Sequence, residues 1–308
     1  MKKILSLVLT LWIMLTVCSA GFMTITVSAV EKIEGSEVTW SFDYTSKTLT
    51  FSGKGNIPDY DTYEDESGKS TIPWAGCAYN TVEFGKEITG IGNYALRKSS
   101  DLVAVTIPET IKKIGNGAFS NSLVLKSVTV KNGVTEISDG AFMGCTALST
   151  VELPTGITRI GKNAFYKCAA LESVKFPARL VSLGNTAFQG CTALTNVVFP
   201  DDCRITLIPS TAFCECSSLT SIRLPANVTE LGSNAFRETS LTEVVFAPGN
   251  QLQTIGGSAF WGVKTLTSFV IPDTVKAIKS NAFQGTGLTG IVIPEGVTSI
   301  ENYTFYEC

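Results

Sequence analysis

Histidine is absent from all 308 residues, and that absence removes more chemistry than any other feature adds. Without an imidazole, serine and cysteine nucleophile systems that use a histidine base are excluded, and so are most zinc sites. Charge is scarce: Asp, Glu, Lys and Arg make up 17% of the chain, with 24 basic residues against 27 acidic ones. No basic stripe is present, which argues against nucleic acid as a partner, because phosphate binding needs clustered Lys and Arg. A carboxylate pair could still catalyse, but no motif supports one. No catalytic residue, cofactor or metal is assigned. Beyond the first segment the chain has no long apolar run, so no membrane span is expected there.

That first segment has the three parts of a secretory signal peptide over residues 1–29. They are Lys2 and Lys3, the apolar residues 4–17, and a small-residue site at Val27, Ser28 and Ala29. Ala20 is a second candidate cleavage site. An apolar run of about fourteen residues falls short of the roughly twenty that a span needs. Val17 before Cys18 fits lipid modification poorly. Removing the segment leaves 22 Lys and Arg against 27 Asp and Glu, a net charge of −5. The mature chain is expected to be secreted or held at a bacterial cell surface.

What the chain has in abundance is itself. Residues 148–170, LSTVELPTGITRIGKNAFYKCAA, are followed by LESVKFPARLVSLGNTAFQGCTA. Units restart at Tyr79, Leu102, Leu125, Leu148, Leu171, Leu194, Leu219, Leu241, Leu266 and Leu288, at intervals of 23 residues until Leu194 and of 25, 22, 25 and 22 after it. Such a period marks a solenoid, in which a unit too small to bury its own apolar face gains a core by stacking on its neighbours. Residues 79–308 therefore make about ten coils, the last one incomplete.

Each coil opens on an alternating pair, such as Val105 and Ile107 or Val151 and Leu153, which is a strand signal. Strands joined by long crossovers must be parallel. Proline then ends the strand at Pro108, Pro154, Pro177, Pro200, Pro225, Pro272 and Pro294. A second apolar pair, such as Ile111 and Ile114, returns the chain to the core. A glycine usually follows, at Gly92, Gly115, Gly161, Gly184, Gly232 or Gly256, and reads as the residue of a tight turn. The closing segment, Asn163-Ala164-Phe165 in the unit at Leu148, reads as a short helical turn whose Phe fills the coil interior. The fold class read from these features is α/β: a right-handed solenoid with a parallel β-sheet face and short helical turns.

The unit LxxVxLPxxIxxIGxxAFxxC, as in residues 148–168, resembles the leucine-rich repeat of BspA-like proteins, the Treponema pallidum type. These are surface antigens of anaerobic bacteria and some protists. The resemblance covers residues 79–308, and TWSFDYTSKTLTFSGKG resembles the segment that often precedes such repeats. It implies adhesion to host matrix proteins or to other cells.

Residues 30–78 do not carry the repeat. Within them EVTWSFDYTSKTLTFSG alternates about Thr45, Ser46 and Lys47 and reads as a β-hairpin that caps the open end of the solenoid. An acidic loop follows. Asp59, Asp61, Glu64, Asp65 and Glu66 do not have EF-hand spacing, so the loop reads as solvated surface. Trp74 and Cys77 echo the Phe and Cys slots of the repeats. Cys145, Cys168, Cys191, Cys216 and Cys308 all lie three residues after a repeat Phe, in a slot that elsewhere holds Ser99, Ser122, Thr239, Val263 and Thr286. That interchange reads as a demand for a small inward side chain, and so for a reduced ladder rather than disulfides. Cys203 and Cys214 stand outside the slot, where a bridge between them is conceivable. Cys214-Glu215-Cys216 is a weak metal signal.

Function must lie in the positions the motif leaves free. One outward residue per strand gives a ladder: Glu83, Thr106, Thr129, Glu152, Lys175, Val198, Arg223, Val245, Val270 and Val292. Its second half forms an apolar stripe with a basic margin, and Lys175, Val198, Arg223, Val245, Val270 and Val292 are the candidate ligand-binding face. Valine also simply suits a strand. The leading reading is a non-enzymatic module that mediates adhesion by binding a protein or glycan on a cell surface or matrix. The alternative is an accessory carbohydrate-binding or scaffold region of a secreted enzyme.

Overall fold

The computed structural model describes residues 30–60 and 71–308. The signal segment and four of the five acidic loop residues, Asp61, Glu64, Asp65 and Glu66, lie outside the described residues.

Three strands, β1 (Val30–Lys32), β2 (Val38–Asp43) and β3 (Thr48–Gly53), form an antiparallel meander, with Trp40 of β2 opposite Phe51 of β3. The turn between β2 and β3 is fixed by Asp43, whose Oδ1 accepts from the backbone N–H groups of Thr45 and Ser46. Those donors hold its carboxyl below the usual value. Alternation does the rest: Val38, Trp40, Phe42, Leu49 and Phe51 are buried on one face. β3 then pairs in parallel with β5 (Thr81–Phe84), while β4 (Gly55–Asn56) pairs with β6 (Ile88–Ile91). β3 thus pairs with the opening strand of the first coil, and β4, just after the hairpin, starts the ladder that the return segments continue. Trp74 is fully buried beneath it, its indole N–H donating to the Ala95 carbonyl at 2.8 Å and its ring set edge-on to Trp40, Phe51 and Tyr60.

The coils carry two ladders, where the sequence pointed to one sheet. The first joins the opening strands: Ala104–Ile107 with Ser127–Val130 and Thr150–Glu152, then Ser173–Lys175 with Asn196–Val198, then Ser221–Leu224 with Glu243–Phe246, all parallel. The second joins the return segments, such as Glu136–Ile137, Arg159–Ile160 and Ser182–Leu183. Partners are one repeat apart, so identical slots stack: Val151 faces Val128, and Ile160 faces Ile137.

No α-helix occurs among the described residues, and the expected helical turns are instead consecutive tight turns. Two residues four apart in each closing segment adopt left-handed backbone, for example Asn163 (φ 54°) and Lys167 (φ 56°), or Asn234 (φ 57°) and Glu238 (φ 56°). A right-handed helix cannot pass through them. Backbone N–H groups therefore alternate. Asn163, Phe165 and Lys167 donate to Asn185, Ala187 and Gln189 of the next coil, whereas Tyr166 and Cys168 donate three residues back within their own. Hydrogen bonds that a helix would keep local instead tie coil to coil. The fold is a parallel β-solenoid with turns, not an α/β one.

Inside, the repeat phenylalanines form a continuous stack. Phe119, Phe142, Phe165, Phe188, Phe213, Phe236, Phe260, Phe283 and Phe305 follow one another with ring centroids 5.1–5.8 Å apart and planes within 14°. All but the last are completely buried. Each is worth about 1.5–3 kcal/mol of burial, and the offset stack adds specificity of register. The glycines after the return strand serve a purpose other than the one expected. Gly115, Gly161, Gly184, Gly232 and Gly256 do not have left-handed φ; a Cβ at Gly184 would lie 2.4 Å from the Gly161 carbonyl carbon and the Lys162 nitrogen. The absence of a side chain, rather than freedom to turn, is what lets neighbouring coils touch there.

Candidate binding face

The outward ladder follows from the pleat of the first sheet. Strand registers set Thr106 beside Thr129 and Thr129 beside Glu152, Lys175 beside Val198, and Arg223 beside Val245. Six residues were singled out from the sequence, and the structure treats them differently. Lys175 is exposed. Arg223 is exposed too, but its guanidinium pairs with Asp201 at 3.3 Å, which offsets half of the basic margin. Val198 is 37% exposed and Val245 is half-buried, whereas Val270 and Val292 are 82% and 84% exposed. The apolar character is concentrated in the last two coils rather than spread evenly along a stripe. There a shallow groove is lined by Phe269, Val270, Ile271, Ile291, Val292 and Pro294 with Asp273 at its rim.

Ion pairs and a stacked cation lie away from this face. Arg159 bridges Glu136 and, at 3.0 Å, Asp139 on the second ladder. Arg237 lies 3.9 Å from the Trp261 ring centre and pairs with Glu238 on the turn side. That stacked pair went unforeseen, although Arg237 and Trp261 occupy the same slot, just after Phe, in consecutive units.

The cysteine slot carries no exposed chemistry except at its last member. Cys145, Cys168, Cys191 and Cys216 are completely buried free thiols, and Cys203 and Cys214 are free as well. Burial pushes the Cys145 and Cys191 thiols up to about 12 and those of Cys168 and Cys216 well above their ordinary value. Each Sγ donates to the carbonyl of the Phe one coil back: Cys145 to Phe119, Cys168 to Phe142, Cys191 to Phe165 and Cys216 to Phe188, at 3.1–3.2 Å. The hydroxyls of Thr239 and Thr286 donate to the Phe of their own coil instead. The slot takes a small side chain; Cys and Thr add a hydrogen bond to a carbonyl there, while Val263 fills it without one. Cys214 and Cys216 do not converge, since Cys216 Sγ points at Phe188 while Cys214 sits beside Glu215. Among the described residues no group of three or more Cys, Asp or Glu could hold a metal ion, and no helix is long and apolar enough to cross a membrane.

Two matches to the model of the BspA type leucine rich repeat region, over residues 73–195 and 181–308, cover the whole solenoid. The chain belongs to the BspA-type leucine-rich repeat family. Among solved structures it is similar to the pneumococcal vaccine antigen PcpA, at 18% identity over 92% of this chain and 68% of that one, with a TM-score of 0.51. It is also similar to the T. pallidum leucine-rich repeat protein, at 21% identity over 83% and 89% with a TM-score of 0.48. A leucine-rich cell surface protein of Faecalibacterium prausnitzii matches at 23% identity over 91% and 92%, with a TM-score of 0.44. At these identities the likeness is one of fold. A search of curated proteins returned no match. Family membership accounts for the repeat and the solenoid.

Proposed function

We propose that this BspA-type repeat protein is a non-enzymatic, secreted or cell-surface binding module that mediates adhesion by engaging a protein or glycan through the outward face of its first sheet. The observation that carries the reading is the pair Val270 and Val292, more than four-fifths exposed where the last two coils continue that face beyond its last paired strand, and far more exposed than Val198 or Val245. Apolar side chains held that far into water on a rigid scaffold mark contact surfaces. Lys175 and Arg223 supply a polar rim on the same face, with Arg223 already half-committed to Asp201. Family membership supports a surface location, since relatives include proteins described as cell-surface and as a vaccine antigen.

The test is capture of the mature chain by immobilised extracellular matrix proteins and polysaccharides, compared with a Val245→Glu, Val270→Glu variant. Capture that is lost in the variant, while its unfolding midpoint is unchanged, supports the reading. Equal capture by a correctly folded variant removes this face as the binding site.

A further inference from the structure

Two corners of the solenoid are longer than the rest. Between the last inward residue of the opening strand and the first of the return segment most coils place three residues, as in 272–274 between Ile271 and Val275. The coils that start at Leu194 and Leu241 place five, 200–204 and 247–251. Each long corner therefore steps out over the shorter corner of the coil that follows it. At the first step the following coil closes the gap: Arg223 pairs with Asp201 at 3.3 Å, and the Asn227 amide donates to the Cys203 carbonyl at 3.1 Å.

The second step is left open. Gly249, left-handed at φ 71°, turns this corner outward, and the Gln251 N–H ties its far end back to the Ala226 carbonyl at 2.9 Å. From the following coil Thr274 Oγ1 donates to Asn250 Oδ1 at 3.3 Å. What remains is a depression of about 600 Å³, lined by Gln251 and Gln253 from one coil and by Asp273, Thr274 and Lys276 from the next. That volume lies within the range of small-ligand sites, about 300–1,000 Å³. The side chains of Gln251, Gln253, Asp273 and Lys276 are exposed and, among the described residues, make no hydrogen bond or ion pair. Arg159, Arg223, Arg237 and Lys279, by comparison, are all spent on carboxylates of the chain itself.

We propose that this depression is a saccharide-binding site, separate from the valine face, which takes a neutral, hydroxyl-rich ring. The lining selects that chemistry. A sugar hydroxyl both donates and accepts, and so do the Gln251 and Gln253 amides and the Thr274 hydroxyl, whereas Asp273 accepts from adjacent hydroxyls and Lys276 donates to another. One carboxylate and one ammonium cancel, so neither a phosphate or sulfate group nor a cation is favoured. None of the five lining residues is apolar or aromatic, so the depression has no pocket for the apolar anchor side chain on which a peptide contact depends.

The experiment uses the mature chain on an array of neutral, sulfated and sialylated oligosaccharides, with each hit then titrated calorimetrically. Neutral saccharides are expected to be retained, with affinity unchanged by added salt. Gln253→Ala and Asp273→Ala should each weaken binding at least about fivefold with no change in unfolding midpoint, since neither side chain bonds to protein. Lys126→Ala, in a distant coil, and the Val245→Glu, Val270→Glu variant should bind as the parent does. The proposal is overturned if no neutral saccharide is retained, if only sulfated or sialylated ones are, or if both corner variants bind as well as the parent. Binding lost in the valine variant and kept in the corner variants also overturns it, because the saccharide then sits on the valine face. Matrix-protein capture through that face is a separate readout: it can survive the failure of the corner site, and its loss leaves the corner site standing.

Discussion

A thiol that donates to a carbonyl while shut away from water is a structural part, and the four buried repeat cysteines are of this kind. Their protons stay on because the thiolate would be charged in an apolar coil. The consequence for stability has a definite sign. In the unfolded chain a thiol titrates near 9.0, whereas Cys145 and Cys191 in the fold hold their protons up to about 12. The folded state therefore binds more protons in that window. The stability they confer is complete below pH 9 and is lost as the pH rises toward 12. The urea midpoint should fall through this range, and it should fall less steeply in a Cys145→Ser, Cys191→Ser variant, which keeps the donors to Phe119 and Phe165. Parallel curves for the two proteins would show that the thiols do not contribute. In the native chain at neutral pH, a thiol reagent should label the exposed Cys308 promptly and the four buried thiols only on unfolding.

At the scale of the element, the coil is a device for bringing backbones close, and glycine marks where they are closest. Gly184→Ala puts a methyl 2.4 Å from the backbone of Gly161 and Lys162, so it should cost at least about 1–3 kcal/mol, as overpacking does. Gly156→Ala meets nothing closer than the Val134 carbonyl at 3.7 Å. It should be neutral or raise stability by up to about 1 kcal/mol through the unfolded chain. Chemical denaturation of the two variants checks both, and a Gly184→Ala as stable as the parent would mean that the coils can separate at little cost. These glycines also show how far the sequence could be read. Period, inward slots and the Phe stack were all visible because burial repeats with the unit: Val151, Ile157, Ile160 and Phe165 announce themselves by type and spacing. The closing turn was not, because Ala164-Phe165 with Cys168 three residues on has the spacing of a helical turn. The residues that forbid a helix are ordinary ones such as Lys167, Glu215 and Thr186, all left-handed at a conformational cost that only the stacked coils sustain. Nor could the candidate face be fully read: the sequence places Val245, Val270 and Val292 in one series. It takes the half-burial of Val245 in the fold to set it apart from Val270 and Val292, and the Asp201 partner of Arg223 to weaken the basic margin.

In the whole molecule, stability is a sum of coil-to-coil interfaces, and those interfaces are not equal. From the hairpin to Phe246 successive coils meet through the turn-side hydrogen bonds and the Phe stack, with the second ladder interrupted between Ser182–Leu183 and Leu207–Ile208 and the first ladder present at most junctions. Beyond Phe246 the first ladder is missing, so the last coils keep the same core on two hydrogen-bonded sides instead of three. Local opening should therefore cost least there. Amide exchange gives the map. Phe142, Phe165 and Phe188, which donate to Ala164, Ala187 and Ala212 one coil on, should exchange slowly. Phe269, Val270, Ile271, Ile291, Val292 and Ile293 should exchange fast, even though Phe260 and Phe283 in the same coils are protected by their bonds to Ala282 and Thr304. Slow exchange at those six positions would mean that the first ladder continues through the last coils in solution.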